Sequence, residues 1–134
     1  MVYPTIGQLE REISQRISSL YNEKLGQRPS QIICHFFDTE LVISLENSVT
    51  PAEQTLLSGG HESLAEQVRL FLDKIIKPHL QKLIEEVISQ PIIDLMSNTN
   101  LSTGRTGIIV VLEKQPQVRN PESIPKGNQK NVAD

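Results

Sequence analysis

Apolar residues recur at Leu9, Ile13, Ile17, Leu20 and Tyr21, at spacings of three and four. Such spacing draws one face of an amphipathic helix. The helix opens on Thr5-Ile6-Gly7-Gln8, a hydroxyl cap with Gln at the third helical position, and Gly26 and Pro29 stop it. The pattern then shortens to a period of two. Gln31 to Phe37 and Leu41 to Leu45 read as paired strands joined by Asp38-Thr39-Glu40. In the second strand Leu41, Ile43 and Leu45 share a face. The first is apolar on both faces, so alternation leaves its register open.

Thr50-Pro51-Ala52-Glu53 is a second capping box, with proline at the first helical position. It predicts a short helix to about Ser58, broken by Gly59-Gly60. A long helix follows from about His61 to Ser89. Its helical period persists across Pro78, where a kink is expected. Pro91 to Met96 and Gly107 to Glu113 read as a second hairpin. The polar stretch Ser97 to Thr106 is its connector, long enough to predict a bulge or mobile loop.

The order α-ββ-αα-ββ predicts a two-layer α+β fold over residues 1–113. Its four-stranded, mostly antiparallel sheet carries the long Pro-kinked helix on one face. From Lys114 to Asp134 prolines and polar residues dominate, which predicts a disordered C-terminal tail.

Composition narrows the function. Hydrophobic residues are 37% of the 134 and aromatics only 4%, so the core is aliphatic. The net charge of −3 argues against a nucleic-acid binder, which needs a basic field to displace counterions from phosphate. The N-terminus lacks the pattern of a signal peptide, and Ile108 to Leu112 is far too short an apolar run to insert in a membrane. A cytoplasmic protein is expected.

Candidate chemistry is sparse. The single cysteine, Cys34, lies in an apolar strand, with His35 directed to the other face. No two of His35, His61 and His79 stand at helical ligand spacing, and no glycine cluster forms a phosphate loop. No catalytic, metal or cofactor residue is assigned. A small-ligand or anion sensor remains an alternative, with Arg28 and Arg105 near a shared loop site. The long helix points elsewhere. Straight, it would span roughly 43 Å, against about 20 Å for a typical strand. Some of its apolar stripe should overhang the sheet and offer a contact surface, Phe71 and Ile75 foremost. A two-fold homodimer would cover it.

Several residues together resemble one family. They are Leu25-Gly26-Gln27-Arg28-Pro29 before a strand, Asp38, Thr50-Pro51-Ala52-Glu53, Arg69, and Thr103-Gly104-Arg105 before the last strand. The pattern is similar to the bacterial MpsC-like family, over about residues 5–113. Arg28 stands where a second glycine is expected, and Pro91 where a helix-stopping glycine is common. The resemblance implies a soluble accessory protein whose partner belongs to a membrane system for cation or inorganic-carbon uptake. It carries over no catalytic residue. Asp38, Arg69 and Arg105 become candidates for polar recognition.

Overall fold

The computed structural model describes residues 2–127. Helix α1 (Ile6–Leu25) leads into strands β1 (Gln31–Phe37) and β2 (Glu40–Glu46). Helices α2 (Pro51–Ser58) and α3 (Glu62–Ile88) follow, then strands β3 (Ile92–Asn100) and β4 (Arg105–Leu112). The sheet order is β1-β2-β4-β3, antiparallel throughout. The two hairpins therefore join along β2 and β4, where Leu41 faces Val110 and Ile43 faces Ile108.

Both capping boxes form. Thr5 accepts from Gln8 N while Gln8 returns a bond to Thr5 N, and α1 ends at Gly26 with φ of 71°. The Cβ-free residue suits this left-handed stop. Thr50 and Glu53 cap α2 in the same reciprocal way. Thr50→Ala is expected to lower stability by about 1–2 kcal/mol, because it strands one helix-start amide. An unchanged urea midpoint would show that the cap contributes nothing.

The core lies between the helices and one sheet face. Ile13 and Ile17 of α1 and Ile76, Leu80 and Ile84 of α3 join Phe36, Leu41, Ile43, Leu45 and Val110 of the sheet. Cys34 settles the register of β1: it is buried, and His35 lies on the exposed face. That opposite face leaves Ile33, Val42, Met96 and Ile109 exposed. Helix α3 runs unbroken through Pro78.

Two expectations are corrected. The β3–β4 connector is not the long stretch 97–106. Strand β3 continues to Asn100, leaving 101–104 as the turn. Asn100 Oδ1 accepts from Ser102 N and Gly104 has φ of 74°, so the turn is tight. The irregularity sits instead at the start of β3, between Ile92 and Asp94.

The second correction concerns the C-terminal segment. Residues 114–127 do not form a free tail: Val118 and Ile124 join the core. Arg119 N donates to Pro4 O and Asn120 Oδ1 accepts from Ile6 N, which holds the segment to the start of α1. Asp38 N donates to Pro125 O, so the segment also pins the β1–β2 turn. Two apolar anchors in a polar sequence are enough to order it. Residues 128–134, the rest of the expected tail, lie outside the described residues.

Candidate functional site

Arg69, on the first half of α3, has a side chain only 5% exposed. Its guanidinium forks onto Glu53 of α2, with Nε donating to Oε2 at 2.7 Å and Nη2 to Oε1 at 2.6 Å. Nη2 also donates to Ser48 O, and Nη1 to Asp73 Oδ1 one turn along α3. Planar, paired donors match a carboxylate in a way lysine cannot. Glu53 is fully buried, and its Oε1 also accepts from the N–H and hydroxyl of Thr50. One carboxylate thus closes the α2 cap and anchors α3.

Hydroxyls extend this pair into a ring. Ser48 Oγ lies 2.6 Å from Thr106 Oγ1, which lies 2.7 Å from Thr99 Oγ1. Thr99 donates to Asp73 Oδ2 at 3.4 Å, and Asp73 returns the chain to Arg69. The ring ties α2, α3, β3, β4 and the segment after β2 together. Burial opposes the charge on Arg69, but the hydrogen bonds and charge of Glu53, then of Asp73, outweigh it and raise its pKa. Desolvation raises the Asp73 pKa, partly offset by Arg69 and Thr99. Burial, then the nearby Asp73 charge, pushes the Tyr21 phenol up as well.

Outside the ring opens a cleft of about 460 Å³ between α3 and the β3–β4 turn. Glu62, Glu66, Arg69 and Asp73 line its helical wall, with Asn98, Asn100 and Leu101 among the residues opposite. The four helical residues stand at i, i+4, i+7 and i+11, which is one face. Further along α3 the same face carries Ile76, Leu80 and Leu83 into the core. The inward face therefore changes from polar to apolar at about Ile76.

The other sequence candidates sit elsewhere. Arg28 donates to Ser18 on α1, while Arg105 pairs with Glu46 at 3.2 Å. The two arginines thus have separate partners, Ser18 and Glu46. Asp38 shapes the β1–β2 turn, with φ of 52°, and accepts from Gln115. Phe71 and Ile75 are exposed, and Lys74 Nζ stands 5.6 Å from the Phe71 ring. Leu64 is also exposed, and Val68 between them is half-buried. These four lie on the side of α3 away from the core.

Cys34 lies buried on the core face of β1. Burial above all pushes its thiol up to about 12, with the Glu10 charge adding to the rise, and His35 lies across the sheet. Sequence reasoning missed Glu53 and Asp73 as members of the site. The Arg69–Asp73 spacing of four was a usable signal, whereas Glu53 read only as a cap residue. Among the described residues no helix is long and apolar enough to cross a membrane.

A family described as Na+-translocating membrane potential-generating system (MpsC) matches residues 5–114. No curated protein and no solved structure gives a significant match.

Proposed function

The chain belongs to the MpsC family, and from that premise we propose that it is a non-catalytic, cytoplasmic accessory subunit of a membrane cation-translocating system, working through protein–protein contacts. The family description supplies the system. The observation that carries the contact is the outward stripe of α3. Leu64, Val68, Phe71 and Ile75 line up there, with Phe71 62% exposed.

Burying a large apolar side chain contributes about 1.5–3 kcal/mol, so a run of them in water marks a surface meant to be covered. The spacing of four, three and four is that of a coiled-coil seam. It reads the same in both directions, so a second copy about a two-fold axis fits it as well as a helix of a larger partner. In this reading the ion path belongs to other subunits.

Phe71→Glu with Ile75→Glu tests the proposal. Both side chains lie in solvent in the isolated chain, so the fold should survive, as circular dichroism will report. Tagged wild-type chain, co-expressed with its membrane system, should capture membrane subunits from detergent extracts, and the double variant should lose them. Equal capture by both would overturn the assignment.

A further inference from the structure

The segment after β4 is a loop closed on one residue. Leu112 N donates to Thr39 O, so β4 ends at the β1–β2 turn. Just beyond, Gln115 Nε2 donates to Asp38 Oδ1 at 3.2 Å. The chain then reaches the start of α1, where Arg119 N donates to Pro4 O and Asn120 Oδ1 accepts from Ile6 N. It returns to the same turn, and Pro125 O accepts from Asp38 N at 2.7 Å. Pro116, Val118 and Ile124 are buried, while Gln117, Arg119, Glu122 and Ser123 face solvent. A loop with joined ends that packs through its own side chains is a compact unit.

This unit is separable from the domain that it covers. Among the described residues it adds no strand to the sheet. It lies beyond the family match, which stops at residue 114. Its link to β4 is Glu113-Lys114, both exposed, with Gln90 Nε2 donating to Lys114 O. Its seat belongs wholly to the domain. Pro4 O, Ile6 N and Asp38 supply the polar contacts, and the core supplies the apolar floor.

We propose that this seat is a docking site for the same segment in trans, supplied by a second copy of the chain through exchange. The bonds and buried side chains seen within one chain are those that an exchanged pair makes, so swapping loses none of them. Each copy has one segment and one seat, so exchange closes at two copies. The link Glu113-Lys114 spans at most about 7 Å, which sets the two β1–β2 turns side by side. The charges at that junction are of both signs. Glu40 beside the turn, Glu113 and Lys114 after Leu112, and Lys126 after Pro125 are all exposed. About a two-fold axis each glutamate has a lysine of the other copy to meet. The α3 stripe takes no part.

A labelled peptide of residues 114–127 reads the seat by fluorescence anisotropy. In the intact chain the resident segment competes at a millimolar effective concentration, so wild type should bind the peptide at least about tenfold more weakly than Val118→Asp with Ile124→Asp. The peptide should also raise the melting temperature of that variant. Asn120→Ala is a milder second chain that removes only the acceptor for Ile6 N, and it should bind the peptide about fivefold more tightly than wild type. If the double variant does not fold, Asn120→Ala carries the comparison. Sedimentation reads the exchange. Wild type held at high concentration just below its melting temperature and then cooled should contain a dimer. Phe71→Glu with Ile75→Glu should form it too, and Val118→Asp with Ile124→Asp should stay monomeric. Peptide affinity equal in wild type and the segment variants, or a wild type that stays monomeric through this treatment, would overturn the proposal. So would a dimer lost with the stripe substitutions and kept with the segment substitutions, since it would then belong to α3.

Discussion

Replacing Arg69 with methionine is expected to remove about 3–5 kcal/mol of stability, a large part of the roughly 5–15 kcal/mol that holds a domain together. The loss is not the worth of an attractive ion pair. Glu53 is fully buried, and without Arg69 its carboxylate keeps only the bonds from Thr50. Removing one partner of a buried pair leaves a charge in a medium that cannot solvate it. Asp73 and Ser48 O lose a donor at the same time. A second substitution separates this cause from lost packing. Glu53→Gln keeps an amide oxygen for Thr50 N but removes the charge. The pair Arg69→Met with Glu53→Gln should therefore recover much of the loss. Urea unfolding of the two singles and the double closes the cycle. A loss under about 1 kcal/mol for Arg69→Met would mean that water reaches Glu53.

Ending the chain after Glu113 should lower the melting temperature by about 10 °C. The removed segment buries Val118 and Ile124 and supplies the Asn120 oxygen that meets Ile6 N. Each buried side chain contributes about 1.5–3 kcal/mol. Ordering the segment offsets part of this, leaving a net loss of about 2–4 kcal/mol. The family match stops at residue 114, so these anchors lie beyond it. A melting temperature unchanged by the truncation would show that the segment adds nothing to the fold.

What could be read ahead of the structure was local. The boxes at Thr5 and Thr50 and the stop at Gly26 involve residues within four positions of one another, and all three formed. The period-two pattern of β2 gave its buried face correctly. It could not orient β1, whose Ile32, Ile33, Cys34, Phe36 and Phe37 are apolar on both sides.

Strand β3 escaped detection past Met96 because Asn98 and Asn100 lie on its open face and Ser97, on the helix-side face, is exposed as well, so a strand there looks like a loop. The C-terminal segment misled for a related reason. Average composition predicts no core, but Val118 adjoins Arg119 and Asn120, which bond to Pro4 and Ile6 at the far end of the chain, and Ile124 adjoins Pro125, which accepts from Asp38 N. The Arg69–Glu53 pair likewise spans 16 positions and two helices. Arg69 was visible as a candidate, yet its role was not. It looked like a surface recognition residue and proved to be an internal anchor that forms one wall of a cleft.

Phe71 and Ile75 were the reverse case. A helix too long for its sheet predicted an uncovered stripe, and the structure leaves them exposed while Ile76, Leu80 and Ile84 are buried. The stripe is confined to the half of α3 before Pro78. There the inward face is polar and the outward face apolar, the opposite of an ordinary surface helix.

Site-specific photocrosslinking from position 71 in living cells tests the docking claim most directly. A photoreactive residue replaces Phe71, and a second chain carries it at Lys77, which is exposed on the same helix away from the stripe. A discrete crosslink from position 71 to a membrane subunit or to a second copy, with none from position 77, is the expected result. No crosslink from position 71, or the same products from both positions, would contradict it.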